Sequence, residues 1–302
     1  MFEFRSIDVV GGTLAVGLSG PAPSSARATV IAAHGITASS VSWTAVARAL
    51  PDDISLVAVD LRGRGASAGL PAPFGMRAHG EDLLRVVEAF SLDVVVAAGH
   101  SMGGYVVAML AASHPSRVRS LVLVDGGFPL SAPEGLGPDQ VVEAVVGPAV
   151  SRLSMTFVSR DDYHQFWHRH PALAQPDAWT DDLLAYLDYD LGGQPPVLRS
   201  RVSAEAVQAD GLELIVDPDA GRAVEHVRCP IEIVRVERGL LDEPSPVVPL
   251  SIIDELVHAP HTVTTVAQLN HYTLMFDPRG AAAVAAALVR ATQHPWRPRL
   301  PS

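Results

Sequence analysis

Val94-Val95-Val96-Ala97-Ala98-Gly99-His100-Ser101-Met102-Gly103-Gly104 is the stretch on which the fold turns. A β-branched apolar run ends in Gly-x-Ser-x-Gly, and a helical pattern over residues 105–112 follows at once. Strand, tight turn and helix, with serine at the apex, is the context that separates a nucleophile elbow from a chance match. Gly99 and Gly103 are small enough for strand and helix to pass closely. Ser101 is expected in strained backbone with its hydroxyl above the sheet edge. A helix N-terminus there favours negative charge nearby.

Upstream, residues 4–10 and 13–19 flank Gly11-Gly12 and read as an antiparallel hairpin. Residues 28–33 and 55–59 are mostly apolar and do not alternate, as strands covered on both faces do not. Ser39 or Ser40 can cap a helix running to Leu50, and residues 76–90 carry helical spacing. Downstream, residues 119–124 read as another buried strand, ending at Asp125. Strands alternating with helices in this way imply a mostly parallel sheet with right-handed crossovers.

The rhythm changes at Phe128. Residues 138–157, 161–170, 176–191 and 200–210 have helical patterns, with almost no strand signal between them. This region carries Phe128, Met155, Phe157, Phe166, Trp167, Trp179 and Tyr186. Strand patterns return at 231–236 and 262–266, Asn270-His271-Tyr272 follows, and residues 278–292 close the chain as a helix. The expected organisation is an α/β core of residues 1–127 and 228–302, with a helical cap, residues 128–227, inserted after Asp125.

Composition narrows the class. Of 302 residues 48% are hydrophobic and 18% charged, enough for a sizeable core. Net charge is −11 with no basic run, which argues against nucleic acid or an anionic membrane surface as partner. Cys229 is the only cysteine, so no internal disulfide is expected and a reducing cytoplasm fits. No basic-then-apolar leader opens the sequence, and no run of about 20 apolar residues suggests a membrane span.

Three groups then stand in chain order: Ser101 after a central strand, an acid after a later one, and His271 after the last. Parallel strands bring their C-terminal ends to one edge, where ligands bind in open α/β sheets. A serine hydroxyl stays protonated near neutral pH. It needs an imidazole to take the proton and an acid to orient that imidazole.

The chain resembles the α/β-hydrolase fold superfamily over nearly its full length. The matching pieces are His34-Gly35, Asp60-Leu61-Arg62-Gly63-Arg64-Gly65, the elbow itself, Leu121-Val122-Leu123-Val124-Asp125 and Asn270-His271. The resemblance implies an eight-stranded, mostly parallel sheet flanked by helices, with no cofactor and no metal. It implies Ser101 as nucleophile, His271 as general base, and the backbone N–H groups of Ile36 and Met102 as the oxyanion hole. In many relatives the acid follows the seventh strand, where this sequence has Gly239, with Asp242 three residues on and Glu237 nearby. A second arrangement, seen in haloalkane dehalogenases and some lactone hydrolases, takes the acid from the end of the sixth strand, which is Asp125 here. Asp125 is the preferred assignment, ahead of Asp242 and Glu237.

Other candidates carry plainer readings. Asp60, Arg62 and Arg64 read as a structural turn with a local salt bridge, and His34 and His100 as structural histidines. His164, His168 and His170 lack the glutamate of His-Glu-x-x-His and read as a helix face rather than a metal site. The cap aromatics are expected to divide between roofing an apolar pocket and holding the cap's own core. The expected function is hydrolysis of a carboxylic ester, thioester or lactone of a hydrophobic small molecule, through an acyl-enzyme. A serine at the elbow argues against haloalkane dehalogenase and epoxide hydrolase chemistry, whose elbow carries aspartate. C–C bond hydrolysis, perhydrolysis, a lyase step, or ligand binding without turnover are the rival uses of the same constellation.

Overall fold

Alternating apolar runs and amphipathic helices build a sheet clad on both faces. The computed structural model describes residues 2–129 and 150–295. Strands β1 (Glu3–Val9), β2 (Gly12–Ser19), β3 (Ala28–Ala33), β4 (Ile54–Val59), β5 (Val95–His100) and β6 (Val118–Val124) precede a long insertion. After β7 (Leu191–Gln194) and β8 (Val197–Ser200), which lie within it, β9 (Ile231–Val236) and β10 (His261–Val266) complete the main sheet. The eight main strands lie in the order β1-β2-β4-β3-β5-β6-β9-β10. β2 pairs antiparallel with β1 and β4, and every other pairing is parallel. The expected strand limits hold to within one residue.

The central strands are mostly apolar because both of their faces are covered. Ile31, Val57, Ala97 and Leu121 point toward α2 (Met76–Ala89) and α3 (Met102–Ser113), packing with Leu83, Val86 and Val106. Their neighbours Val30, Leu56, Val96 and Val122 point the other way. They pack on α1 (Thr44–Ala49) and on the last helix, Pro278–Gln293, through Val46, Val284 and Leu288. That is the period-two alternation of a strand read on two apolar faces.

Between β6 and β9 the described residues form α4 (Arg160–His168), α5 (Asp181–Asp190), the β7–β8 hairpin and α6 (Ala204–Val216). Ser159, Thr180 and Ser203 cap the three helices, each side chain accepting a backbone N–H of the first turn. The hairpin corrects the expectation of almost no strand here. Two glycines and Pro195-Pro196 hide its alternation, and it pairs back onto Phe157. Most of the helix expected over 138–157 lies outside the described residues. Phe157, Tyr163, Phe166 and Trp167 pack edge to face on one another. Beside them a buried Arg152 bonds the Tyr163 hydroxyl at 3.0 Å and Asp190 at 3.2 Å. These aromatics therefore hold the insertion's own core. Outside the insertion, α7 (Leu250–Leu256) lies between β9 and β10, and α8 is the Pro278–Gln293 helix. Among the described residues no helix is long and apolar enough to cross a membrane.

Candidate active site

Ser101 stands between β5 and α3 with φ 55° and ψ −123°. Few non-glycine residues adopt a positive φ, and here the surroundings enforce it. The Ser101 N–H donates to Val124 O at 3.0 Å, and its carbonyl accepts from Gly104 N at 2.9 Å. The space around the turn is filled by backbone. A side chain on Gly103 would begin 2.3 Å from Ala33 O, and one on Gly126 would begin 2.3 Å from Ser101 O. Gly126, which sequence reasoning did not single out, is thus as necessary to the elbow as Gly103. The Met102 N–H opens α3, where first-turn N–H groups have no intrahelical acceptor.

The loop after β3 comes up against the serine. A Cβ on Gly35 would lie 3.6 Å from Ser101 Oγ. His34 is wholly buried beneath it. Leu61 N–H donates to His34 Nε2 at 3.0 Å, so Nδ1 carries the ring proton and donates to Gly35 O at 2.7 Å. Burial holds this histidine neutral and pulls its pKa down to about 3. Gly35 O also accepts from Ala38 N at 3.0 Å. Because the trans peptide is planar, pinning the Gly35 carbonyl aims the Ile36 N–H in the opposite direction.

His271 lies on the turn after β10 and is buried. Its Nδ1 is 2.7 Å from Asp125 Oδ2, and Asp125 is itself only 1% exposed. Asp125 has φ 44°; its N–H donates to Val234 O at 2.7 Å, and its Oδ1 accepts from Val236 N at 3.3 Å. The β6–β9 pairing therefore fixes the carboxylate. Asn270 secures the histidine turn by accepting from Tyr272 N at 3.0 Å and Thr273 N at 2.9 Å.

The other acids point elsewhere. Asp242 takes two bonds from Arg238, at 2.7 and 2.9 Å, and one from Asn270 Nδ2 at 3.1 Å. Arg238 holds its carboxyl below the usual range. Glu237 is exposed and accepts from Gln268 N at 3.2 Å.

His100 underlies the site. It is buried, its ring centroid is 4.6 Å from that of His271, and its Nε2 lies 3.2 Å from the His271 carbonyl. Nε2 must carry the proton, because a carbonyl can only accept. Burial, reinforced by the adjacent His271, keeps His100 well below the ordinary histidine pKa. Among the described residues its Nδ1 has no partner.

Ser101, His271 and Ile36 open onto one cavity of about 80 Å³, with Tyr186, Leu240, Met275 and Phe276 among its walls. Of the insertion's aromatics, Tyr186 of α5 is the one that reaches it. A larger polar cleft of about 580 Å³, with Arg238, Asp242, Asn270 and Arg279 on its walls, includes neither Ser101 nor His271.

The charged loop after β4 needs correcting, since its ion pairs are not local. Asp60 accepts from Ser40 N and Ala66 N, both at 2.8 Å, and from the Tyr189 hydroxyl at 2.5 Å. Arg62 grips Asp82 with two bonds at 3.0 and 2.9 Å, and Arg64 pairs with Asp210 of α6. His164 lies 3.1 Å from Asp188, while His168 stacks on Trp179. His170 Nδ1 accepts from Ala172 N at 3.3 Å. Among the described residues no group of three or more His, Cys, Asp or Glu side chains comes together in a way that could hold a metal.

Chemically, the site offers a strained serine, an imidazole on the same cavity with a buried carboxylate bonded to it, and the loop carrying Ile36 against the serine. Residues 28–157 match the model of the α/β-hydrolase fold family. A Caulobacter sp. (strain K31) protein that bears the name carbamate hydrolase RutD is 29% identical over 216 residues, 69% of this chain and 72% of that protein. The Mycobacterium tuberculosis lipase LipV is 36% identical over 130 residues, 43% of this chain and 46% of the lipase. The crystal structure of E-2-(acetamidomethylene)succinate hydrolase superposes with TM-score 0.75 at 21% identity, covering 97% of this chain and 99% of that one.

Proposed function

We propose that this chain, which belongs to the α/β-hydrolase fold superfamily, is a serine hydrolase cleaving a carboxylic ester, thioester or lactone of a hydrophobic small molecule. The observation that carries the reading is the 2.7 Å bond between His271 and a buried Asp125, on a cavity shared with Ser101. Ser101 Oγ attacks the acyl carbon while His271 Nε2 takes its proton. Asp125 holds Nδ1–H and stabilises the imidazolium that forms. The carbonyl electrons move onto oxygen, where the Ile36 and Met102 N–H groups receive them; such donors contribute about 3–4 kcal/mol each in other hydrolases. Collapse of the tetrahedral intermediate expels the alcohol or thiol, which leaves with the proton from His271. Water then attacks the acyl-enzyme, again giving its proton to His271, and Ser101 is restored.

The cavity beside Ser101 is small. A dry cavity of about 150 Å³ admits benzene, so one of about 80 Å³ suits an acyl group of a few carbons. We place the larger apolar part of the substrate on the leaving-group side.

A fluorophosphonate should label Ser101, and a p-nitrophenyl ester series should favour short acyl chains. Ser101→Ala should abolish labelling and turnover while leaving the melting temperature near that of the unaltered protein. Turnover retained in Ser101→Ala would remove the nucleophile from this scheme. Absence of labelling in the unaltered protein would favour a binding protein on a hydrolase fold. A carbamate belongs in the same panel, because a relative bears that name and the acyl-transfer steps would be the same.

A further inference from the structure

We infer that Arg64 is a positioning residue of the oxyanion hole and that Asp210, carried by α6, is the counter-charge holding it there, so that the loop presenting the Ile36 N–H is held on both sides only while α6 is docked. This rests on the reading of Ser101 as nucleophile and Ile36 as oxyanion donor.

Arg64 is completely buried. Its Nε donates to Ile36 O at 3.0 Å, its Nη1 donates to Arg62 O at 2.9 Å, and Nη1 meets Asp210 Oδ2 at 2.5 Å. Asp210 is equally buried. Its remaining contacts are with His79 Nε2 at 3.0 Å and Gly75 N at 2.6 Å, both from the core side of the α6 contact. Two more bonds seat α6 on the core. Ser203 N donates to Gly63 O at 2.8 Å, and Met76 N donates to Glu213 Oε1 at 2.9 Å.

The consequence for the site follows from the two peptides that flank Ile36. The one before it is pinned through the Gly35 carbonyl by His34 and Ala38. The one after it is pinned through the Ile36 carbonyl by Arg64. The Ile36 N–H lies in the first of these planes and Arg64 holds the second; with both held, the dihedral angles of Ile36 are fixed, and so is the seat of this loop beside Ser101. Loss of Arg64 would leave the Ile36 carbonyl without this donor and free the second plane. Loss of Asp210 would leave a buried guanidinium without its carboxylate, which proteins tolerate badly. Only the arginine fork can serve Ile36 through Nε and Asp210 through Nη1 at once; a lysine at position 64 has a single nitrogen to give. An arginine that merely glued insertion to core would have no reason to spend a donor on the carbonyl of the oxyanion residue.

The test uses the full chain and its best p-nitrophenyl ester. Arg64→Lys keeps the charge pair and removes the bond to Ile36. It should lower kcat about 10²-fold, the usual loss when an oxyanion donor is misplaced, with KM little changed. Affinity for a trifluoromethyl ketone, whose adduct carries the oxyanion, should fall in parallel. Asp210→Asn should act in the same direction. Should either single variant fail to fold, Arg64→Met with Asp210→Leu replaces the pair by apolar groups of similar volume. A folded double variant with lost turnover supports the inference, and one with retained turnover overturns it. Unchanged kcat and ketone affinity in a folded Arg64→Lys likewise overturn it, even though Ser101 is still labelled. If the unaltered protein is not labelled at all, the failure belongs to the hydrolase reading instead.

Discussion

Ser101 and His271 could be picked out from residue type and position alone, because each follows a strand at the C-terminal edge of the sheet. The acid could not be picked out in that way. Asp125 follows β6 directly and Asp242 lies in the loop after β9, and a carboxylate looks the same in either place. What separates them is the β6–β9 pairing, which turns Asp125 toward His271, and Arg238, which occupies Asp242. Asp125→Asn should therefore cost up to roughly 10⁴-fold in kcat, as loss of a triad aspartate does in other hydrolases. Asp242→Asn removes an ion pair that is part-exposed and worth little, so kcat should stay close to that of the unaltered protein. Steady-state kinetics on the two variants decide the matter, and a crippled Asp242→Asn would reverse the assignment. The pairing of Arg64 with Asp210 was illegible for a related reason. Nothing local in either residue's surroundings announces a partner 146 positions away.

At the scale of elements, the core strands could be read because they are buried on both faces and bounded by glycine, proline or polar residues. The β7–β8 hairpin could not, since it has four residues per strand and two of those in β7 are glycine. The elbow shows how tightly one element constrains another. An alanine inside an exposed helix is worth about 1 kcal/mol over glycine. At Gly103 that gain meets backbone that cannot move aside, with Ala33 O 2.3 Å from the new carbon. Overpacking of this kind costs about 1–3 kcal/mol or more and should win. Gly103→Ala is expected to be destabilised in a urea melt, whereas Gly69→Ala, with nothing within 4 Å, should be near neutral. Equal midpoints for the two would show that the elbow is slacker than it looks.

For the molecule as a whole, two buried neutral histidines set the response to acid. The unfolded chain protonates them near the ordinary pKa of about 6.5. The folded chain resists, His34 down to about 3 and His100 well below the ordinary value. Between those limits the unfolded state binds more protons, so stability is complete above about pH 6.5 and falls as the pH drops. Each histidine contributes about 1.4 kcal/mol per pH unit. Over two units His34 alone removes about 3 kcal/mol of the ~5–15 kcal/mol that holds a domain folded, and His100 acts in the same direction. The melting temperature should drop steeply from pH 6 toward pH 4. His100→Gln offers Nε2 to the same His271 carbonyl and does not titrate, so it should flatten that slope. A slope unchanged in His100→Gln would exclude this histidine as a cause.

The place of β6 in the sheet has a further consequence, for the newly made chain. Its outer edge is covered only by β9, which begins at Ile231, whereas β6 itself ends at Val124. While the intervening hundred-odd residues are synthesised, Leu121-Val122-Leu123-Val124 presents a bare and wholly apolar strand edge, the kind of surface on which chains aggregate. Ser101 and Asp125 are already in hand during that interval, and His271 is not. On the proposed mechanism hydrolytic competence waits for His271, and a chain stopped at residue 230 should pellet rather than turn over substrate slowly.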